Sequence, residues 1–116
     1  KSPLQAKDAL TGAPITAFER VAQIWVKGEP KVRAYATPEN ALRDLTALEK
    51  SGKSARVVYA QDRNSGIKLL AAQAWFALSP DNTVDAFLLP VQASEFAAAK
   101  GGRTLDFAGL RAAFKA

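Results

Sequence analysis

The chain has 116 residues, 48% of them apolar, with 16 Lys and Arg against 11 Asp and Glu. That is enough for one domain with one core, and no apolar run is long enough to span a bilayer. Cys, His and Met are all absent, which excludes thiolate, imidazole and thioether metal sites, cysteine nucleophiles, histidine bases and disulfides. The net charge of +5 is scattered rather than blocked, so it reads as a solvated surface and not as a nucleic-acid face.

Residues 1–20 read as irregular, punctuated by Pro3, Gly12 and Pro14, with room for a short helix from Pro3 to Leu10. The chain starts at Lys1 and not at Met, which leaves room for a removed signal peptide or an anchor upstream. VAQIWV (21–26) has strand composition, with Val21, Gln23 and Trp25 on one side and Ala22, Ile24 and Val26 on the other. KGEP (27–30) is a turn, and KVRAYA (31–36) alternates with Val32, Ala34 and Ala36 facing one way. Together they predict a β-hairpin.

Thr37-Pro38-Glu39 starts a helix: Thr37 as cap, Pro38 in the first turn, and Glu39 against the positive end of the dipole and four residues before Arg43. Ala41, Leu42, Leu45 and Leu48 form its apolar stripe, and Gly52 suits its C-terminal cap. RVVYAQD (56–62) is a strand, and RNSG (63–66) turns into IKLL.

AWFAL (74–78) and VDAFLL (84–89) then read as strands around the turn SPDN. Residues 91–100 are a helix with Phe96 on its apolar stripe, ended by Gly101-Gly102. RTLDF (103–107) is a strand, and Phe107, Leu110 and Phe114 have the spacing of a C-terminal helix. Strand–strand–helix–strand thus occurs twice, over 21–62 and 74–107. The expected fold is α+β: two ββαβ-like units with antiparallel hairpins and helices packed on the sheet. The single domain would span 21–116, with units at about 21–70 and 71–116. A structural duplication and a chance recurrence both fit this pattern.

AQIWVKGEPKVRAYATPENAL (22–42), ARVVYAQDRNSGIKLLAAQAWFALSP (55–80) and FLLPVQASEFAAAKGGRTLDFAGL (87–110) stand in an order that resembles the NosL-like family. These are accessory copper-binding lipoproteins of nitrous-oxide reductase assembly. The most specific part is the end: a proline before a helix, an acidic residue then Phe-Ala-Ala, Gly-Gly, a short strand and a terminal helix. The resemblance implies paired ββαβ units, an extracytoplasmic setting and copper(I) binding. The family's Cys-x-x-Cys-Gly-Met segment, however, falls on DALTGA, where Asp8, Thr11 and Ala13 replace the ligands. A family methionine falls at about Val84, and a frequent histidine is Lys100. Oxygen donors replace sulfur poorly for soft copper(I), so the resemblance implies an inherited scaffold without its metal.

Other residues are candidates for a pocket or partner contact. Trp25, Trp75 and Phe76 suit either a pocket or the core. Gln23 and Gln73 sit among apolar neighbours. Tyr35 and Tyr59, near Arg33 and Arg56, would by default carry outward polar tips. Asp8, Asp62, Asp81 and Asp85 lack EF-hand spacing. No catalytic pair is marked, so the expectation is no enzyme activity and no cofactor, with a minor role for Asp or Tyr as a weaker reading. The expected function is a non-enzymatic periplasmic or otherwise extracytoplasmic accessory protein, with or without a lipid anchor upstream of Lys1. It would no longer bind copper, and would act through a client copper enzyme or a metal-carrying relative, with no nucleic acid and no transmembrane segment. The alternative is a small-molecule or anion binding domain using a pocket between the units.

Overall fold

A computed structural model describes residues 7–114. Strand β1 (Ala22–Val26) buries Ala22, Ile24 and Val26. Its other face carries Gln23, half-buried, and Trp25, exposed. β1 is the inner strand of its hairpin with β2 (Arg33–Tyr35). Helix α1 (Pro38–Lys50) follows, with Thr37 Oγ1 accepting from the Asn40 N–H at 3.2 Å. β3 (Ala55–Gln61) then returns antiparallel on the far side of β1, and β4 (Lys68–Leu70) adds an edge. The sheet order is β2-β1-β3-β4.

The second half repeats this connection. β5 (Trp75–Leu78) forms a hairpin with β6 (Val84–Phe87), helix α2 (Pro90–Lys100) follows, and β7 (Arg103–Leu105) pairs with the other side of β5. The order β6-β5-β7 matches β2-β1-β3. Helix α3 (Phe107–Ala113) closes the chain. The α+β expectation of two ββαβ units is therefore met, and the recurrence is structural.

Several details differ from the expectation, each for a local reason. The candidate helix from Pro3 lies partly outside the described residues. From Asp8 onward the chain is a hydrogen-bonded loop, in which the Asp8 carboxylate takes the Leu10 and Thr11 N–H groups that a helix would use. On β2 the inward residue is Tyr35, fully buried, while Val32 is exposed. β6 stops at Phe87, leaving Leu88 and Leu89 exposed before α2. β7 stops at Leu105 because Asp106 caps α3 by accepting from the Gly109 N–H at 2.8 Å.

The core has three parts. Ile24, Val26, Ala41, Leu45 and Tyr35 lie between the first sheet and α1. Phe87, Ala93 and Ala97 lie between the second sheet and α2. A middle cluster joins the halves, bringing Leu42 of α1 against Phe76, Val84 and Leu110. Burying a large side chain of this kind contributes about 1.5–3 kcal/mol, so the middle cluster holds the two units as one body.

Candidate functional site

The polar centre of the molecule lies where the halves meet. Arg20, just ahead of β1, donates from Nη2 to the Val84 carbonyl at 2.7 Å and to Glu39 Oε2. Glu39, in the first turn of α1, also accepts the Val84 N–H. One ion pair of the first unit thus holds both backbone groups at the start of β6. Glu39 is engaged there and not with Arg43, whose guanidinium lies over the Phe114 ring. Next along β6, Asp85 is buried. Its Oδ1 accepts from Arg63 Nη1 at 3.2 Å and lies 3.8 Å from Arg20 Nε.

Above Asp85 a cleft of about 380 Å³ opens between the β5–β6 turn, α2 and the two arginines. Arg63 stacks on the Phe96 ring at 4.5 Å, and Lys100 Nζ lies 5.5 Å from the same ring. Ser79, Thr83 and Asp81 form the turn side. Asp81 accepts the Thr83 N–H at 3.0 Å, and bonding to Thr83 holds its carboxyl below the usual range. Arg20 Nε is buried without a hydrogen-bond partner among the described residues.

The positions that the resemblance assigns to former ligands are occupied by other chemistry. Asp8 is buried, with Oδ1 accepting from Leu10 N and Thr11 N and Oδ2 from Ala36 N and Asn40 Nδ2. Burial alone would raise its pKa, but these four bonds favour the carboxylate and bring it below the ordinary value. Thr11 Oγ1 accepts from Ala13 N at 3.2 Å, and Ala13 has no donor to offer. Val84 is a buried aliphatic side chain, and Lys100 is a cation over Phe96. A carboxylate saturated by N–H groups, a hydroxyl, two alkyl groups and an ammonium do not fit copper(I). Among the described residues no group of three or more carboxylates is placed to hold an ion.

The remaining candidates are dispersed. Tyr35 and Arg33 belong to a structural cluster beneath α1, where the Tyr35 hydroxyl donates to Asp44 Oδ2 and Arg33 Nη1 donates to the same oxygen at 3.3 Å. Arg33 also grips Glu29 with two bonds of 2.9 and 2.7 Å. Burial, then the bond to Asp44, pushes the Tyr35 pKa up, and Arg33 holds Glu29 below its ordinary value. The Tyr35 tip is therefore inside, contrary to the outward default. Gln23 and Tyr59 face each other across β1 and β3 beside a hollow of about 100 Å³, with Lys68 Nζ 4.8 Å from the Tyr59 ring. Trp25 is exposed under Arg56 at 5.3 Å, Trp75 packs by Phe87, and Gln73 is exposed in a 3-10 turn.

The sequence does not mark Arg20, Arg63 and Phe96 as site residues, and it offers Asp85 only as a hard-cation ligand. No local pattern marks them, since Arg20 meets Val84 across 64 positions. The available signal was smaller: DALTG at 8–12 and DRNSG at 62–66 recur at the same place in each half.

No family model matches the chain, and no curated protein does. Among solved structures, the crystal structure of the copper chaperone NosL from Shewanella denitrificans superposes with a TM-score of 0.78. The alignment covers 90% of this chain and 89% of that one at 20% identity. This chain therefore has the fold of NosL.

Proposed function

We propose that this protein is a non-enzymatic, extracytoplasmic accessory protein of copper-enzyme maturation that does not hold copper itself. It acts by contact with a protein partner: a client copper enzyme or a metal-carrying relative. The observation that carries the reading is a NosL fold on a chain with no Cys, His or Met. Copper(I) needs soft donors, so what is retained is the shape and not the metal site. Exposed apolar side chains support partner contact. Ile67, Leu88, Leu89 and Val91 are all more than 45% exposed. Ile67 and Leu88 are both hydrogen-bonded to Asp62, so they stand at one corner of the second unit. The corresponding corner of the first unit presents Ala13, Ala36, Thr37 and Glu39, and Glu39 there is engaged by Arg20 and Val84. Among the described residues no helix is long and apolar enough to cross a membrane.

The test has two arms. Competition titration with Cu(I) should give no binding tighter than about 1 µM, and sub-micromolar binding by the chain alone would overturn the metal-free reading. Photo-crosslinking from position 91 in cells of the source organism should capture a copper enzyme or metal-carrying relative, and a control at Arg43 should not. Equal capture from both positions would count against a specific contact.

A second reading, binding of a small anion, is favoured by the cleft over Asp85 and Phe96 and is developed below.

A further inference from the structure

We propose that the cleft between α2, the β5–β6 turn and Arg20 binds a small oxyanion of the phosphate or carboxylate class. Arg63 and Lys100 would grip it, with Arg20 behind them. The inference rests on the alternative, anion-binding reading. It uses other residues than the partner contact, so its failure leaves that contact untouched.

The first argument is an imbalance of donors. Arg20, Arg63 and Lys100 line the cleft against two carboxylates, Asp81 and Asp85. Asp85 Oδ1 accepts from Arg63 and is ion-paired with Arg20 at 3.8 Å, and Asp81 Oδ1 accepts the Thr83 N–H. Arg20 Nε is buried with no hydrogen-bond partner among the described residues. Asp85 Oδ1, 3.8 Å away, is beyond hydrogen-bond range of it, so Arg20 stands as positive charge behind the cleft. Arg63 gives one N–H to Asp85, and Lys100 is in no ion pair among the described residues. Arg63 and Lys100 therefore keep N–H donors at the cleft, whose three cations outnumber its two carboxylates.

The second argument is preorganisation. Arg63 and Lys100 are both held against the Phe96 ring, at 4.5 and 5.5 Å. Cation–π contact restricts two long side chains before a ligand arrives, which reduces the entropy lost on binding. Phe96 is itself fixed against Phe87 at 5.4 Å. Ser79, on the turn side, adds a hydroxyl of the kind that can donate to an oxyanion. The volume, about 380 Å³, is within the range of small-ligand sites.

The experiment follows amide NMR shifts of the full chain during separate titrations with inorganic phosphate and acetate. Saturable shifts should appear at residues 79–85, Phe96 and Lys100 with at least one of the two anions. The variant R63Q/K100Q should weaken that binding about tenfold or more, because two charge-assisted contacts are lost. K27Q/K31Q loses the same charge at the β1–β2 turn and should change it less than about twofold. No saturable shift with either anion, or equal weakening in both variants, overturns the proposal. Where phosphate binds, vesicles of phosphatidylglycerol separate its sources. Sedimentation of the wild type but not of R63Q/K100Q assigns a lipid headgroup, and no sedimentation assigns a free anion.

Discussion

Asp8 and Asp62 occupy equivalent positions ahead of the β1–β2 and β5–β6 hairpins and make equivalent bonds. Each closes its loop through its backbone: Asp8 N to Ala13 O and Gly12 N to Asp8 O, then Asp62 N to Ile67 O and Gly66 N to Asp62 O, all between 2.7 and 2.8 Å. Each carboxylate takes the N–H of the residue three positions on, Thr11 or Ser65. Its other oxygen reaches the N–H two residues before the helix proline, Ala36 at 2.8 Å or Leu88 at 3.0 Å. The next residue, Ala9 or Arg63, donates to Ala34 or Ala86. Both loops need a glycine, because Gly12 and Gly66 have φ of 77° and 78°. A buried aspartate thus fastens each loop to the strand–helix junction of the hairpin that follows it.

Removing either carboxylate should destabilise the fold. Asp8→Ala leaves the N–H groups of Leu10, Thr11 and Ala36 and the Asn40 amide without their acceptor. The expected loss for Asp8→Ala or Asp62→Ala is about 2–4 kcal/mol each. Asp→Asn keeps one acceptor oxygen and should lose less. Asp81→Ala, on an exposed turn with one backbone bond, should lose less than about 1 kcal/mol. Urea denaturation gives the ranking, and an Asp8→Ala loss no larger than that of Asp81→Ala would show that the loop does not hold the junction.

The same two residues contribute to the acid side of stability. Burial opposes their charge, yet hydrogen bonds bring both pKa values below the ordinary one. With the folded pKa lowered, the unfolded chain takes up protons first as pH falls. Their contribution is then complete above about 3.9 and declines below it. Unfolding free energy should therefore fall between about pH 4 and pH 2. D8N/D62N should be less stable at pH 6 but lose less over that interval. Equal acid slopes in variant and wild type would place the acid sensitivity elsewhere.

Two ββαβ units were legible because their signals are local. The alternation of VAQIWV, the Thr37-Pro38 start and the Gly101-Gly102 stop each act within a few residues. The facing of β2 was not legible. Alternation separates Val32, Ala34 and Ala36 from Arg33 and Tyr35, and packing of Tyr35 with Ile24 and Leu45, with its bond to Asp44 of α1, makes the tyrosine side the inner one. The cleft was not legible either. Glu39 meets Val84 across 45 positions, a pairing that exists only once the middle cluster has docked the halves. The Asp loops lie between these cases: DALTG and DRNSG recur in plain view, but nothing local tells a buried hydrogen-bonded aspartate from a turn residue.

Tyr35 should set an alkaline limit. Burial first, then the bond to Asp44, raises its pKa in the folded state. The unfolded chain loses this proton at about pH 10 while the folded chain keeps it, so stability is complete below about pH 10 and declines above it. Tyr35→Phe should cost about 1–2 kcal/mol at pH 7 by removing one bond to a carboxylate. It should also flatten the decline between about pH 10 and pH 11. Unfolding curves at both ends of that interval decide it, and an unchanged alkaline slope would mean that the hydroxyl is not protected.

The two glycines after α2 should fail differently. Gly101 has φ of 74°, and an added Cβ would meet nothing nearer than Pro80 Cγ at 4.0 Å. Gly101→Ala therefore meets only the left-handed backbone penalty, about 1–2 kcal/mol. Gly102 is constrained by space instead: a Cβ would lie 2.3 Å from the Leu78 carbonyl oxygen. That oxygen is backbone of β5, and Leu78 pairs with Arg103 of β7, so the strand itself must move. Gly102→Ala should then cost about 3 kcal/mol or more, with the loss concentrated in the second sheet. Hydrogen exchange should show faster opening of residues 75–78 and 103–105 while β1 and β3 keep their protection. If Gly101→Ala proved the more damaging, backbone handedness and not close strand packing would be what this glycine pair supplies.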